Sequence, residues 1–266
     1  MLRPRSRAVL AALVLIAAAC QPEEKTTQVT VMSRNLYLGA ELNPLIEALV
    51  GFDMGLIPPA QYPAVIPPLA DQAWAEVQAT DFPARAKVIA AEIQSQRPDV
   101  VGLQEVSVWR TIDPSTTPPT TAVAYDFVAI LRAELTALGL DYREASSVQE
   151  TDAELPLSDG TLVRWTDHDV ILVRAGIATA DPTGAVYTTK FPVTTATGPL
   201  GVELSALRGW VSVEIQKDGV RFRVYSTHLE VENPPLNYFQ AGQVAELAQI
   251  LSAEPLPTIL LGDFNS

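Results

Sequence analysis

One stretch decides the fold: residues 97–105, which read Arg-Pro-Asp-Val-Val-Gly-Leu-Gln-Glu. The residue before a proline is disfavoured in the helical region, so Arg97 marks the end of a preceding helix pattern. The apolar residues 100–103 are typical of a short buried strand. Glu105 follows closely, and a carboxylate there is costly to bury unless it is paired or bound to a cation. Taken alone, Glu105 also fits a solvated residue at a strand end.

Helix patterns flank this stretch on both sides. Apolar residues share one helical face between residues 82 and 93, with Asp81 predicted as the N-cap. The prolines of residues 51–68 argue against a continuous helix or a central strand, so we predict an irregular excursion there. Further helices are predicted over residues 71–79, 122–138 (ending at Gly139) and 236–251.

Alternating or apolar runs between these helices predict the strands. They cover residues 29–35, 100–103, 142–148, 169–174, 185–189, 210–215, 221–227 and 257–261. Asp218-Gly219 separates two of them and is a strong hairpin signal. Strands that occur both in hairpins and in crossover units, with helices between them, indicate a mixed-sheet α/β protein.

Composition and charge limit the class of protein. A chain of 266 residues with 48% hydrophobic residues is long and apolar enough to bury one substantial core. Its formal net charge is -13, which disfavours tight, sequence-independent binding of nucleic acid. A bound divalent cation and a few local arginines would be needed to offset repulsion from a polyanion.

The N-terminus has the pattern of a targeting segment. Arginines at positions 3, 5 and 7 precede an apolar run over residues 8–16, which is too short to span a bilayer. The following Ala-Ala-Ala-Cys resembles a bacterial lipoprotein cleavage box, in which Cys20 becomes the lipidated first residue. An ordinary secretory peptide, in which Cys20 has no role, is the alternative. Cys20 is the only cysteine, so an intramolecular disulfide is excluded.

These features predict three segments. Residues 1–19 would be a lipoprotein signal peptide, residues 20–27 a polar tether and residues 28–266 one folded domain. The protein would then be exported and held at the bacterial cell envelope by its lipid anchor. Several acyl chains would give stable anchoring, because a single chain binds a membrane only marginally.

Two polar residues follow the last predicted strand. Asp263 and Asn265 are two apart on extended chain, so both side chains are expected on the same face of the sheet. One can hold a water molecule while the other binds phosphate. Taken alone, Gly-Asp-x-Asn is also an ordinary turn sequence.

Asn35 and His228 end two further predicted strands. The carbonyl of Asn35 can ligate a hard cation or orient Glu105, although a turn residue is the simpler interpretation. His228 fits a structural donor, but if it faces phosphate its ring N–H can stabilise charge that develops on a nonbridging oxygen. The second histidine, His168, is predicted to lie in a solvated loop.

Five segments in this order resemble the endonuclease/exonuclease/phosphatase superfamily, which includes DNase I-like nucleases, inositol polyphosphate phosphatases and neutral sphingomyelinases. The resemblance runs from about Gln28 to the last residue. The matching segments are Ser33-Arg34-Asn35-Leu36, residues 97–106, Ser226-Thr227-His228-Leu229-Glu230, residues 243–247 and Leu260-Leu261-Gly262-Asp263-Phe264-Asn265.

The resemblance implies a four-layer α/β sandwich, two mixed β-sheets flanked by helices, with Mg²⁺ (or Mn²⁺ or Ca²⁺) at the strand ends. It implies that Glu105 is the main metal ligand, with Asn35 beside it. Asp263 would orient or deprotonate the attacking water, Asn265 would help hold the water and the phosphate, and His228 would stabilise the pentacoordinate phosphorus. The cation's Lewis acidity would supply much of the charge stabilisation.

The family pattern continues beyond the Gly-Asp-x-Asn strand with a further aspartate and a closing Asp-His pair. Because this chain ends at Ser266, we expect the sandwich to be incomplete at its C-terminus and one sheet edge to be exposed. Residues 169–174 also resemble a middle strand of the family, and no catalytic role is predicted for them.

Two functions follow as hypotheses. The first is a membrane-anchored, metal-dependent phosphoesterase that hydrolyses a phosphodiester or phosphomonoester by attack of an activated water. Its substrate would be a small phosphate ester, a phospholipid headgroup or a nucleic acid, and no protein partner is predicted. The alternative is a non-catalytic lipoprotein that retains the fold as a binding module, or an inactive fragment.

Overall fold

The computed structural model describes residues 26–190, 207–232 and 237–266. The predicted signal peptide and Cys20 lie outside these residues. The strands are β1 Val31–Asn35, β2 Val100–Gln104, β3 Val108–Asp113, β4 Thr120–Asp126, β5 Tyr142–Pro156, β6 Leu162–Arg174, β7 Ala178–Val186, β8 Gly209–Lys217, β9 Val220–His228 and β10 Thr258–Asp263. The helices are α1 Asn43–Asp53, α2 Tyr62–Ala79, α3 Phe82–Gln96, α4 Phe127–Ala137 and α5 Asn237–Ser252, with a short 3₁₀ helix at Pro59–Gln61.

The strands form two mixed sheets. The first has the order β1-β2-β6-β3-β4, with β5 also paired to β6, and the second has the order β10-β9-β8-β7. Each sheet contains one parallel pair, β1 with β2 and β9 with β10, among antiparallel neighbours. In the second sheet, β8 and β9 form the predicted hairpin, because Lys217 pairs with Val220 around Asp218-Gly219.

Three apolar clusters separate four layers. The largest packs α1 to α4 on the outer face of the first sheet, for example Leu49 and Ile66 against Leu103. A second cluster lies between the sheets and joins Ile171 to Val213. A third contains Leu247 of α5 and covers the other face of the second sheet. The predicted four-layer α/β sandwich of two mixed sheets is therefore confirmed.

Strand β2 shows how the two sheets approach each other. Its side chains alternate, so Leu103 faces the helices while Val100 faces the second sheet. Gly102 also faces the second sheet, and a Cβ atom there would lie 2.8 Å from the Ser226 hydroxyl and 3.2 Å from the Leu261 side chain. The glycine of the Val-Val-Gly-Leu run therefore permits close packing of the two sheets.

The predicted irregular excursion over residues 51–68 is wrong, because α2 begins at Tyr62 and includes Pro67 and Pro68. A proline inside a helix costs about 3 kcal/mol through its lost hydrogen bond and steric clash. The helix nevertheless buries an apolar face on which Ile66 and Ala70 are almost fully inaccessible to solvent. Burial of one such large side chain contributes roughly 1.5–3 kcal/mol, so tertiary packing offsets the local cost.

The predicted helix over residues 122–138 is wrong in its first turn. Residues up to Asp126 belong to β4, which pairs with β3, and α4 starts only at Phe127. The Asp126 carboxylate caps α4 by accepting from the Ala129 N–H at 3.0 Å. The predicted cap of α3 is confirmed, since the Asp81 carboxylate accepts from the Ala84 N–H.

Among the described residues, no helix is both long enough and apolar enough to cross a membrane.

Candidate active site

The carboxyl ends of two parallel strand pairs meet at one end of the sandwich. Asn35 lies opposite Gln104 at the end of β1 and β2, and Asp263 lies opposite His228 at the end of β9 and β10. The Ser33 hydroxyl joins the two sheets by donating to the Gly262 carbonyl at 3.2 Å. Residues from four strands, distant in sequence, therefore converge in one place.

Asn35 links the two carboxylates of the site. Its Nδ2 donates to Glu105 Oε1 at 2.8 Å and to Asp263 Oδ2 at 2.9 Å. Its Oδ1 accepts from the Tyr37 backbone N–H at 2.7 Å, which fixes the orientation of the amide. The Asn35 amide thus bridges the two carboxylates, with one hydrogen bond to each.

Glu105 is held in a conformation that few residues adopt. Its φ is +53°, in the left-handed region, where a non-glycine residue costs on the order of 1–3 kcal/mol. The surroundings retain this geometry, because Oε2 accepts from the Leu38 backbone N–H at 2.7 Å while Oε1 accepts from Asn35. The strained backbone directs the carboxylate towards Asn35 and Asp263.

This group of oxygen atoms fits a hard divalent cation. Glu105 and Asp263 are only partly buried, and each carboxylate oxygen has lone-pair capacity beyond the hydrogen bond it accepts. Mg²⁺ is typically bound through one or two carboxylates, with water and substrate phosphate completing its octahedron. Asn35 and Asp263 line an open depression of about 470 Å³, which leaves room for those further ligands.

Asp263 and Asn265 do not point in the same direction, contrary to the sequence prediction. Asn265 lies beyond β10 with a φ of +50°, so the chain has already turned and the extended alternation no longer applies. Its backbone N–H donates to Asp263 Oδ1 at 3.0 Å, and its Nδ2 donates to the Leu229 carbonyl at 2.8 Å. Asp263 therefore contacts Asn35, whereas Asn265 contacts His228.

His228 is buried between two hydrogen-bond donors. Its Nδ1 lies 3.0 Å from Arg208 Nη1, and its Nε2 lies 3.1 Å from Asn265 Nδ2. A guanidinium group can only donate, so Nδ1 is the acceptor and the proton of the neutral ring is on Nε2. Burial, and then the charge of Arg208, lower the pKa of His228 well below its usual value. The imidazole is therefore neutral at physiological pH.

The contact between His228 and Asn265 is mismatched. With the ring proton on Nε2, an N–H of the imidazole faces an N–H of the Asn265 amide. An oxygen atom beside both groups would accept from both of them.

Sequence reasoning missed a buried acidic group next to His228. Glu150 and Asp169 are 2% and 0% exposed, and none of their four carboxyl oxygens has a well-formed hydrogen bond within the described part of the chain, although the nearby Gly209 backbone N–H favours the charged form of Glu150. One ligand atom each from Glu150, Asp169 and His228 lie within 4.8 Å of one another, so this group is a second possible metal-binding set. Burial, followed by repulsion from neighbouring carboxylates, raises the pKa of both acids well above the usual values.

Two neighbours complete this buried region. Burial, and then repulsion from Glu105, raise the pKa of Asp167 to about 7, although the Ser107 hydroxyl donates to it at 3.0 Å. Arg208 supplies positive charge to this region. Its Nη2 also lies 3.6 Å from Glu230 Oε1 and forms an ion pair with it. The Asp-His-Asp signal at residues 167–169 was visible in the sequence, but only strand pairing places Glu150 beside it.

His168 does not lie in a solvated loop, as the sequence predicted. It belongs to β6 and is partly buried, with its Nδ1 3.1 Å from the Val106 carbonyl. Its side chain points away from the two buried aspartates beside it, because successive residues of a strand face opposite sides.

A family model, described as the Endonuclease/Exonuclease/phosphatase family, matches residues 73–266. The chain belongs to this family. The match covers the strands that carry Glu105, His228 and Asp263, so the motif resemblance and the family model agree on the same part of the molecule. A comparison with curated protein sequences finds no match.

Several solved structures of the family resemble the chain. An endonuclease/exonuclease/phosphatase family protein from Leptotrichia buccalis is 17% identical, with a TM-score of 0.46 over 69% of this chain and 60% of that one. A mannosyl-6-phosphatase from Bacteroides thetaiotaomicron is 18% identical, with a TM-score of 0.46 over 90% and 66%. A humanized D. rerio TDP2 is 15% identical, with a TM-score of 0.44 over 90% and 62%. The chain thus spans 60% to 66% of the length of these three structures.

Proposed function

We propose that the protein is a metal-dependent hydrolase of phosphate esters. The observation that carries this proposal is the Asn35 amide, which donates to both Glu105 and Asp263, while Asn35 and Asp263 line an open depression. Membership of the endonuclease/exonuclease/phosphatase family supports a phosphoester substrate. In this proposal, Glu105 would be the main ligand of Mg²⁺, or of Mn²⁺ or Ca²⁺. Asn35 would ligate through the second lone pair of its Oδ1, because its Nδ2 group donates to the two carboxylates.

Each residue has a role that its hydrogen bonds support. Asp263 accepts a proton from the attacking water, and Asn35 keeps its carboxylate in position. The Nε2–H of His228 and the amide of Asn265 donate to a nonbridging phosphoryl oxygen as negative charge develops on it. A bound divalent cation would act as a Lewis acid on the phosphoryl group.

The proposed reaction is a hydrolysis. The water oxygen bonds to phosphorus, and the bond between phosphorus and the ester oxygen breaks. The departing oxygen takes up a proton, so the products are an alcohol and a phosphate with one ester bond fewer.

We further propose that the protein acts at the cell envelope. The lone Cys20, placed after an apolar run and three alanines, supports lipidation and membrane anchoring. Mass spectrometry of the protein purified from membranes would test this part, since lipidation predicts a mature chain that begins at Cys20 with attached acyl groups. A chain cleaved elsewhere, without acyl groups, would contradict it.

Hydrolysis of bis(p-nitrophenyl) phosphate in the presence of Mg²⁺ tests the enzymatic proposal. EDTA and the substitution Glu105→Gln should each abolish turnover, while Glu47→Gln, which changes an exposed glutamate of α1, should leave it unchanged. Turnover that persists in EDTA would contradict the proposal.

Turnover separates the enzyme from a binding module that keeps the fold, and calorimetry measures phosphate binding by either. A module would bind inorganic phosphate without turning over any ester. In both cases Asn265→Ala should weaken phosphate binding, since the amide donates at the proposed phosphate position. Turnover by the unsubstituted chain is therefore the measurement that decides between the two.

A further inference from the structure

A cavity of about 260 Å³ lies between α1, α2 and the first sheet. We call it the tryptophan cavity, because Trp74, Trp109 and Trp165 line it, and these are three of the four tryptophans in the chain. Small and aliphatic side chains, among them Leu42, Ala73 and Ala153, form much of the remaining wall, and polar residues such as Glu41 and Thr151 also line it.

The tryptophans present apolar surface to this cavity. Their rings pack as a row, with Trp109 stacked on Trp165 at 5.6 Å between ring centroids and Trp74 tilted against Trp109 at 6.0 Å. The Nε1–H of Trp109 donates to the Leu38 carbonyl, and that of Trp165 donates to the Ser107 hydroxyl. Both donors are thus occupied within the protein, and the wall they form offers ring surface to an occupant.

One end of the tryptophan cavity is polar and reaches the candidate active site. Glu105, Asp167 and Arg208 line that end. Glu105 accepts from Asn35, and Arg208 donates to His228, so two residues of the cavity wall touch the proposed catalytic groups directly. A molecule whose phosphate lies beside Arg208 and Glu105 can therefore extend its other end along the tryptophans.

We propose that the tryptophan cavity binds the apolar part of the substrate, and that this substrate is a monomeric phosphate ester of a compact aryl or alkyl alcohol. This inference rests on the proposed function. Position supports the orientation, because Glu105, the proposed metal ligand, and Arg208 both line the polar end, and a cation bound at Glu105 would offset the carboxylates of Glu105 and Asp167 there. The net charge of -13 disfavours a polyanionic substrate in the same place.

The size of the cavity limits the occupant. A volume of 260 Å³ corresponds to roughly nine water molecules at about 30 Å³ each, and it lies just below the roughly 300–1,000 Å³ of drug-sized ligand sites. An aromatic ring or a short alkyl chain fills such a space. Burial of that group against the indole rings would provide specificity, since a single methylene in an apolar pocket is worth roughly 10- to 200-fold in discrimination.

Tryptophan fluorescence tests the inference without requiring turnover. In the presence of Mg²⁺, phenylphosphonate should quench the emission and bind about tenfold or more tightly than methylphosphonate, measured for both by calorimetry. Trp210→Phe removes the one tryptophan outside the cavity and should leave the quenching by phenylphosphonate intact. Equal affinities for the two phosphonates, or no binding of either, would overturn the inference.

A substitution pair on α2 tests the location. Ala73→Leu fills the cavity and should remove the preference for phenylphosphonate while keeping the affinity for methylphosphonate. Ala75→Leu adds the same atoms on the exposed side of the same helix and should change neither affinity. Since Ala73 is buried, Ile46→Phe at the partly buried rim is a second filling variant, with circular dichroism as the check of folding. A preference that survives both filling variants would overturn the location.

The two proposals fail in different ways. Metal-dependent hydrolysis with equal kcat/KM for phenyl and methyl esters would overturn the tryptophan cavity as a subsite and leave the phosphoesterase in place. A strong preference for phenylphosphonate without any ester hydrolysis would support the cavity and overturn the catalytic proposal.

Discussion

Two groups of carboxylates lie close to each other in this protein, and their surroundings are opposite. Glu105 and Asp263 are partly exposed, and each accepts backbone and side-chain hydrogen bonds. Glu150 and Asp169 are buried, and their carboxyl oxygens lack well-formed hydrogen bonds from the described residues. Donors stabilise a carboxylate, whereas burial without donors favours its neutral form. The Glu105 site is therefore suited to a cation, whereas the pKa values of the buried pair are raised.

Two arrangements can lower the free-energy cost of burying the carboxyl groups of Glu150 and Asp169. The carboxyl groups of Glu150 and Asp169 interact directly, so a proton on one of them can bond to the other. A cation held by both acids and His228 would serve the same purpose. The following predictions test the contrast between the two groups, from the largest expected effect to the smallest.

Asp263→Asn should lower kcat/KM for bis(p-nitrophenyl) phosphate by about 10²- to 10⁴-fold, because an amide cannot take the proton from the attacking water. The hydrogen bond from Asn35 would also lose its charged acceptor. Asp141→Asn, at an exposed position in the loop before β5, is the matched control and should keep full activity. An equal loss in both variants would remove Asp263 from the mechanism.

Arg208→Gln should destabilise the fold by roughly 3 kcal/mol, because it leaves the surrounding buried acids without their cation. The same change should raise the pKa of His228, since the charge of Arg208 lowers it. Urea denaturation measures the first effect, and NMR titration of the imidazole measures the second. An unchanged imidazole pKa would show that burial alone keeps His228 neutral.

Asp169→Asn should stabilise the protein at pH 8 by about 2 kcal/mol in EDTA, and by much less at pH 5. The sign follows from linkage: the folded-state pKa of Asp169 is raised, so folding takes up a proton above the unfolded value of 3.8, and stability falls as pH rises from there. The asparagine has no such proton to lose. Urea denaturation at the two pH values measures the difference.

The Asp169→Asn variant also tests whether a proton or a cation neutralises the buried pair of Glu150 and Asp169. If Mg²⁺ stabilises the unsubstituted protein but not Asp169→Asn, the cation belongs to the Glu150, Asp169 and His228 group. If Glu105→Gln removes that stabilisation and Asp169→Asn keeps it, the cation belongs to the Glu105 site, as proposed.

Asp167→Asn should change the pH dependence of stability over a narrower window, because the buried charged carboxylate that it removes is destabilising but also accepts a hydrogen bond from the Ser107 hydroxyl. The pKa of Asp167 is raised to about 7, so its destabilising contribution grows between about pH 4 and pH 7 and is complete above that. The hydrogen bond from Ser107 limits the contribution. Urea denaturation in EDTA at half-unit pH steps should give a flatter stability profile for the variant within that window, and an unchanged profile would contradict the prediction.

Much of the site could be predicted from local patterns. Asn35, Glu105, His228 and Asp263 each stand at or just beyond the end of a strand, and strands are visible in the sequence because their side chains alternate or form short apolar runs. The order of these segments predicted both the fold and the family. A local pattern does not predict the direction of a side chain beyond the end of a strand, as the turn at Asn265 shows.

Other features depend on residues far apart in the chain. Glu150 meets Asp169 and His228 only because β5 pairs with β6 in one sheet and the second sheet packs against them. The three tryptophans of the cavity come from α2, β3 and β6. No spacing in the sequence signals such convergence, because it is set by sheet register and layer packing.

The sequence by itself determined most of the strands, though not β3 and β4, together with the polar residues at the strand ends and the family, because backbone periodicity and short motifs are local properties. Only the tertiary structure decided that α2 continues through Pro67 and Pro68, that Asn265 turns towards His228, and that an apolar cavity opens beside Glu105. The physical reason is the same in each case. Burial and hydrogen bonding between distant segments outweigh local preferences by a few kcal/mol. These contacts form only when the two sheets and the helices pack together.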